Sequence, residues 1–100
     1  MSLEIRENRG IFEVLGSVST QQIGALNSYF SAVLEQEDNI VVSLEKVTQL
    51  DTSAAHFFEK LYQNSAKQNK VVALIGRQNG SLVDVLNATK TQYILSPDRI

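Results

Sequence analysis

The stretch "NIVVSLEKVTQLDTSAA", Asn39 to Ala55, decides how the chain folds. Its first part, "NIVVSL", is a nearly continuous run of β-branched and aliphatic residues, as expected of a strand flanked on most sides by other elements. "EKVTQL" then reads as a loop that carries the chain to Asp51. Asp51, Thr52 and Ser53 are all residue types that cap a helix by accepting a hydrogen bond from an orphan backbone N–H. Beyond them Ala54, Phe57, Phe58, Leu61 and Tyr62 form an apolar stripe at helical spacing, with His56, Glu59, Lys60, Gln63 and Lys67 on the polar side.

Downstream, "KVVALI" (Lys70 to Ile75) is a second buried-strand pattern, so the strand, helix and strand predict a right-handed parallel crossover. "GSLVDVLN" supplies a short helix through Leu82, Val85 and Leu86, and "TQYIL" a last strand. Upstream, Leu3 to Arg6 and Ile11 to Leu15 read as a β-hairpin, with Asn8 and Gly10 of "ENRG" suited to positive φ. After Gly16, Ile23, Leu26, Phe30, Val33 and Leu34 recur at helical spacing, and Ser19 and Gln22 are placed to form a capping box. The order β-β-α-β-α-β-α-β predicts an α/β domain, a mixed sheet of about five strands with its helices packed mainly on one face. At 100 residues, this is one domain spanning 1–100.

Composition removes several functions. A net charge of −2 offers no general attraction to nucleic acid or anionic membrane, and the nine basic residues form no cluster interleaved with aromatics. With no cysteine, disulfides, thiol nucleophiles and cysteine zinc sites are excluded, and a reducing cytoplasm is the natural compartment. "MSLEIREN" is charged where a signal peptide needs an apolar run, and no segment approaches the roughly 20 apolar residues of a membrane span. The glycines form neither a dinucleotide fingerprint nor a phosphate loop. The lone histidine, His56, lies on the solvated helix face with Glu59 as its only nearby carboxylate, too little for a metal site. A hydrolase using Thr52 or Ser53 would need an adjacent base and a third orienting group, neither of which the sequence offers. The reading is a protein-binding domain, with no enzymatic activity, cofactor or metal.

Physically, the hydroxyls of "DTSAA" serve as helix caps or as a switch. A phosphate at a helix N-terminus adds about −1.5 to −2 charge where the dipole and free N–H groups tolerate it, so binding can change while the fold survives.

These residues resemble the STAS family, the domain shared by sulfate transporters and bacterial anti-sigma factor antagonists. The likeness runs through the N-terminal hairpin, "LGSVST" and "VVSLEKVTQLDTSAA" to "KVVALIGRQNGSLVDVLNATKTQYIL", nearly the whole chain. The Asp-[Ser/Thr]-[Ser/Thr] of Asp51, Thr52 and Ser53 is its most specific part. The resemblance implies a STAS-like mixed sheet and a phosphorylation-controlled switch that binds an anti-sigma serine kinase, lets go when phosphorylated and is restored by a phosphatase. Thr52 would be the phosphoacceptor, with Ser53 as fallback, Asp51 and Ala54 shaping its surroundings, and Ser17, Ser19, Gln49, His56 and Arg77 as partner contacts. The second reading is a non-phosphorylated STAS subunit that docks through the same surface on the ATPase of an ABC lipid-transport complex.

Three departures from the family pattern stand out. Ala54 and Ala55 replace the usual glycine and apolar residue, and Ser17 and Ser19 replace the usual Glu and Asp. "SPDRI" stands where many antagonists add a last helix, which Pro97 would open.

Overall fold

The structure, a computed structural model, describes residues 3–96. It runs β1 (Glu4–Asn8), β2 (Ile11–Val18), α1 (Ile23–Gln36), β3 (Asn39–Leu50), α2 (Thr52–Lys67), β4 (Val71–Ile75) and α3 (Gly80–Ala88), with short 3-10 turns at Thr20–Gln22 and Gln92–Ile94. The sheet order is β1-β2-β3-β4; β1 and β2 are antiparallel, and β2, β3 and β4 are parallel. This is the expected mixed sheet.

Phe12, Val42 and Leu74 lie in register across three strands, next to the Ile40–Val72 pair, and all five are buried. They share one core with Leu26 and Phe30 of α1, Phe58 of α2 and Leu82 and Leu86 of α3. The alternate row, Ile11, Val41 and Ala73, is only half-buried. The helices therefore gather on one face.

The largest correction concerns "EKVTQL", which is strand rather than loop. Two irregularities explain the misreading. From Glu13↔Ser43 to Leu15↔Lys46, β2 advances by two residues and β3 by three; from Gly16↔Val47 to Ser17↔Gln49, β2 advances by one and β3 by two. Each shift is a bulge that adds a residue to β3. Leu44, Val47 and Leu50 consequently stand three apart, yet all are buried. Period-two alternation, the usual mark of a strand, is absent for this reason.

The hairpin forms as expected, but with a different turn. Asn8 pairs with Ile11 inside the ladder, and the positive φ values fall on Arg9 (56°) and Gly10 (82°). A two-residue turn with both φ positive is type I′ and matches the strand twist. The Gly10 N–H donates to the Glu7 carboxylate at 2.9 Å, helping to hold it. At the α1 start, the Ser19 N–H donates to Gln22 Oε1 at 2.8 Å, which is the glutamine arm of the expected capping box.

"TQYIL" does not form a fifth strand. Its hydrogen bonds close locally, from Ile94 N–H to Thr91 O and from Leu95 N–H to Gln92 O, and only Leu95 bridges to Leu74 of β4. The cause lies just upstream, where α3 ends in a Schellman motif: Lys90 has φ 60°, its N–H donates to Asn87 O, and the Thr91 N–H donates to Leu86 O. The chain is thereby tied to the helix end, and among the described residues it reaches β4 only at Leu95 and Ser96. Thr91, Ile94 and Leu95 are buried all the same. The helix start expected at Pro97 lies outside the described residues.

Two effects on stability are expected. Replacing Arg9 by Asn, which tolerates left-handed backbone more readily, raises stability by about 0.5–1 kcal/mol in urea denaturation. Phe58→Ala, at a side chain with 0% exposure, lowers it by about 3–5 kcal/mol.

Candidate functional site

The site is built at the carboxyl end of β3, where the second bulge delivers Leu50 into the core and turns the chain at Asp51 into α2. Asp51 has extended backbone and caps the helix, its Oδ1 accepting the Ala54 N–H at 2.9 Å. Its Oδ2 accepts from the Thr20 N–H at 2.9 Å and from the Thr20 hydroxyl at 3.2 Å. The Asp51 N–H in turn donates to Val18 O at 3.2 Å. One carboxylate thus ties the start of α2 to the turn before α1.

Partial burial pushes the Asp51 carboxyl up, but donors from Ala54, Thr20 and Ser53 together outweigh it and hold the carboxyl below the usual aspartate range. Its negative charge is absorbed by backbone N–H groups and a hydroxyl rather than by a neighbouring cation.

Thr52 and Ser53 occupy the first two helical positions, and both are exposed. Among the described residues neither hydroxyl makes an intramolecular hydrogen bond, so the cap belongs to Asp51 alone. Ala54 and Ala55 are fully buried. Alanine in these positions lets the first turn of α2 sit close to the sheet, and it holds helical backbone better than glycine.

Beside this helix start is an open groove of about 400 Å³, lined by Ser17, Ser19, Thr48, Gln49, Asp51 and Ser81 over Val18, Leu50 and Val85. Ser17 Oγ donates to Gln49 Oε1 at 3.3 Å across the β2–β3 pair. Apart from Asp51, whose oxygens are already engaged, the lining has no charged side chain. The surface is one of hydroxyls and amides over an apolar floor.

Four of the residues singled out from sequence, Ser17, Ser19, Gln49 and Asp51, meet in this groove, with Thr52 and Ser53 continuing from its edge. His56 stands one turn further along α2, with Nδ1 3.4 Å from Glu59 Oε1. Glu59 Oε2 accepts the Tyr93 hydroxyl at 2.6 Å; this bond first, and His56 second, hold the Glu59 carboxyl below its usual range. Arg77 is engaged elsewhere, donating to the carbonyls of Ser96 and Leu95 at 3.2 and 3.4 Å. It ties down the chain after α3 and does not line the groove.

Sequence reading missed Thr20 and Asn79. Thr20 follows the capping serine, where only the long-range contact to Asp51 gives it a role. Asn79 directly precedes the helical run "GSLVDVLN", where Asn is a capping signal in its own right. Its Oδ1 accepts the Leu82 N–H at 3.3 Å.

Among the described residues no cluster of His, Cys, Asp or Glu is suited to a metal ion, and no helix is long and apolar enough to cross a membrane.

Comparisons with known proteins bear on the family and the fold. The sequence profile described as "STAS domain" matches residues 1–95. Among solved structures, the chain is similar to the anti-sigma factor antagonist SpoIIAA in its unphosphorylated form, with a TM-score of 0.71 at 10% identity, over 95% of this chain and 86% of that one. It is also similar to an anti-sigma factor antagonist from Mycobacterium paratuberculosis, with a TM-score of 0.64 at 19% identity, over 97% of this chain and 86% of that one. At these identities the likeness is one of fold. No match was found among curated protein sequences.

The Asp51 contacts set a pH dependence. Donors that favour the carboxylate contribute fully above the unfolded aspartate pKa of about 3.9, and the contribution fades as pH falls through the lower folded value. Asp51→Asn removes that titration, so the stability gap between wild type and variant narrows as pH drops from about 6 to about 3. Asp51→Ala, which loses the cap outright, costs about 1–2 kcal/mol at neutral pH. Urea midpoints across the pH series check both.

Proposed function

The chain belongs to the STAS family, and from that membership together with its exposed hydroxyl pair we propose that it is a phosphorylation-controlled protein-binding switch of the anti-sigma factor antagonist type. The observation that carries the reading is the division of labour at the start of α2. Asp51 supplies the helix cap, so the Thr52 hydroxyl is exposed and free of any structural bond among the described residues. A hydroxyl in that position can be esterified without removing a contact that the fold uses.

In this reading Thr52 is the phosphoacceptor and Ser53 the fallback. The unphosphorylated protein binds an anti-sigma serine kinase through the groove edged by Ser17, Ser19 and Gln49. Phosphate on Thr52 places about −1.5 to −2 charge beside a lining of neutral hydroxyls and amides. Next to it the Asp51 carboxylate adds a like charge whose donors are already engaged, and no cation in the groove lining offsets the phosphate. A partner surface matched to the neutral groove is then confronted with a desolvated dianion and dissociates. A phosphatase restores the binding form. The domain's work in this account is recognition, with no chemistry of its own.

Mass spectrometry of the protein isolated from its own cells, growing and stressed, tests this. The expected result is phosphate on Thr52 whose occupancy changes between the two conditions. Its complete absence in both, with the peptide well covered, would overturn the switch and leave the constitutive subunit docking on a transporter ATPase. Thr52→Glu is expected to weaken binding to the cognate kinase by about tenfold or more, read by calorimetry, while Thr52→Val leaves the melting temperature nearly unchanged.

A further inference from the structure

We propose that Asn79, in the loop before α3, is a positioning residue for the segment that presents Thr52; the proposal rests on the reading of Thr52 as the switch. The two N–H groups of Asn79 Nδ2 are shared among three carbonyls of β3, those of Leu44 at 3.0 Å, Glu45 at 3.2 Å and Val47 at 2.8 Å. Leu44 and Glu45 are the residues inside the first register shift between β2 and β3, and Val47 stands between the first shift and the second. The orientation of the amide is dictated by its partners: three carbonyls can only accept, and the Leu82 N–H that meets Oδ1 can only donate.

Bulges interrupt ladder hydrogen bonding and bend the strand that carries them. Here one side chain from outside the sheet holds the first bend on both sides and fixes Val47, the residue from which the second departs. Downstream of them the chain passes Thr48 and Gln49, which line the groove, and reaches Asp51 and Thr52. The helix that Asn79 caps also supplies Ser81 and Val85 to the same groove. Asn79 therefore fixes two walls of the site relative to each other: the bulged end of β3 and the first turns of α3. Its amide donor sets where Thr52 is offered, and its amide oxygen starts the helix opposite.

The two ends of the side chain can be separated by substitution. Asn79→Asp keeps the capping oxygen but turns the donor end into an acceptor facing three carbonyls. Asn79→Ser keeps a cap of shorter reach and removes the two amide N–H groups, leaving a single hydroxyl on a shorter arm. Hydrogen exchange on the intact chain is expected to show amides from Glu45 to Asp51 exchanging about tenfold faster or more in both variants, while those from Leu82 to Leu86 stay protected. In cells, the phosphate occupancy of Thr52 is expected to fall in both variants relative to the amount of protein present.

Wild-type exchange from Glu45 to Asp51 in Asn79→Asp would reduce Asn79 to a helix cap and overturn the proposal. A uniform acceleration that includes α1 and α2 would also overturn it, by showing a residue of general stability. If Asn79→Asp fails to fold, Asn79→Ser decides by the same criteria. Absence of phosphate on wild-type Thr52 would sink the switch reading, and the exchange pattern would then decide the positioning role alone.

Discussion

Everything at the functional end of this domain depends on where the two oxygens of one carboxylate go. Asp51 caps α2 with one and holds the turn before α1 with the other, so two helices approaching from different parts of the sequence share a single anchor. The alternative, in which Thr52 or Ser53 does the capping, would tie up a hydroxyl. Because the aspartate performs this task, the hydroxyls that follow it are left over. That surplus separates a structural helix start from a surface that can be modified.

The second constraint is charge. The groove next to the start of α2 is lined by serines, a threonine, a glutamine and the fully engaged Asp51 carboxylate over Val18, Leu50 and Val85. Ser17 and Ser19 stand where relatives of this fold commonly carry acids, and the structure places both in that lining. A neutral surface is complementary to a neutral partner, and it is also a surface on which one phosphate produces the largest relative change in potential. Burial of a doubly charged group against unmatched amides is costly in any interface. The departures from the family pattern are thus consistent with a switch that acts by adding charge to an uncharged contact.

Much of the fold was legible in the sequence. The three helices followed from apolar spacing at Leu26 and Phe30, at Phe57 and Phe58, and at Leu82 and Leu86, all of which are buried. The buried strands followed from their β-branched runs. The second half of β3 did not, because two bulges replace alternation by the spacing Leu44, Val47, Leu50, which no simple strand period describes. The segment "TQYIL" reads as a last strand, but it is diverted by the Schellman turn at Lys90. Of the site, Asp51 and the hydroxyl pair could be read locally, since capping is a local rule. Thr20 and Asn79 could not be placed in the site from sequence, because their partners lie about thirty residues away and depend on tertiary geometry.

The account's central claim is that charge on Thr52 alters a surface and leaves the fold in place. Comparison of amide NMR spectra of the unmodified chain and of the chain carrying synthetic phosphothreonine at position 52 tests it most directly. The account predicts shifts confined to residues 17–22, 48–56 and the groove-lining part of α3 around Ser81 and Val85, with the amides of β1, of β2 as far as Gly16 and of β4 unmoved. Shifts spread through the sheet and α1, or loss of dispersion, would show that the phosphate acts by disturbing the fold, and would contradict it.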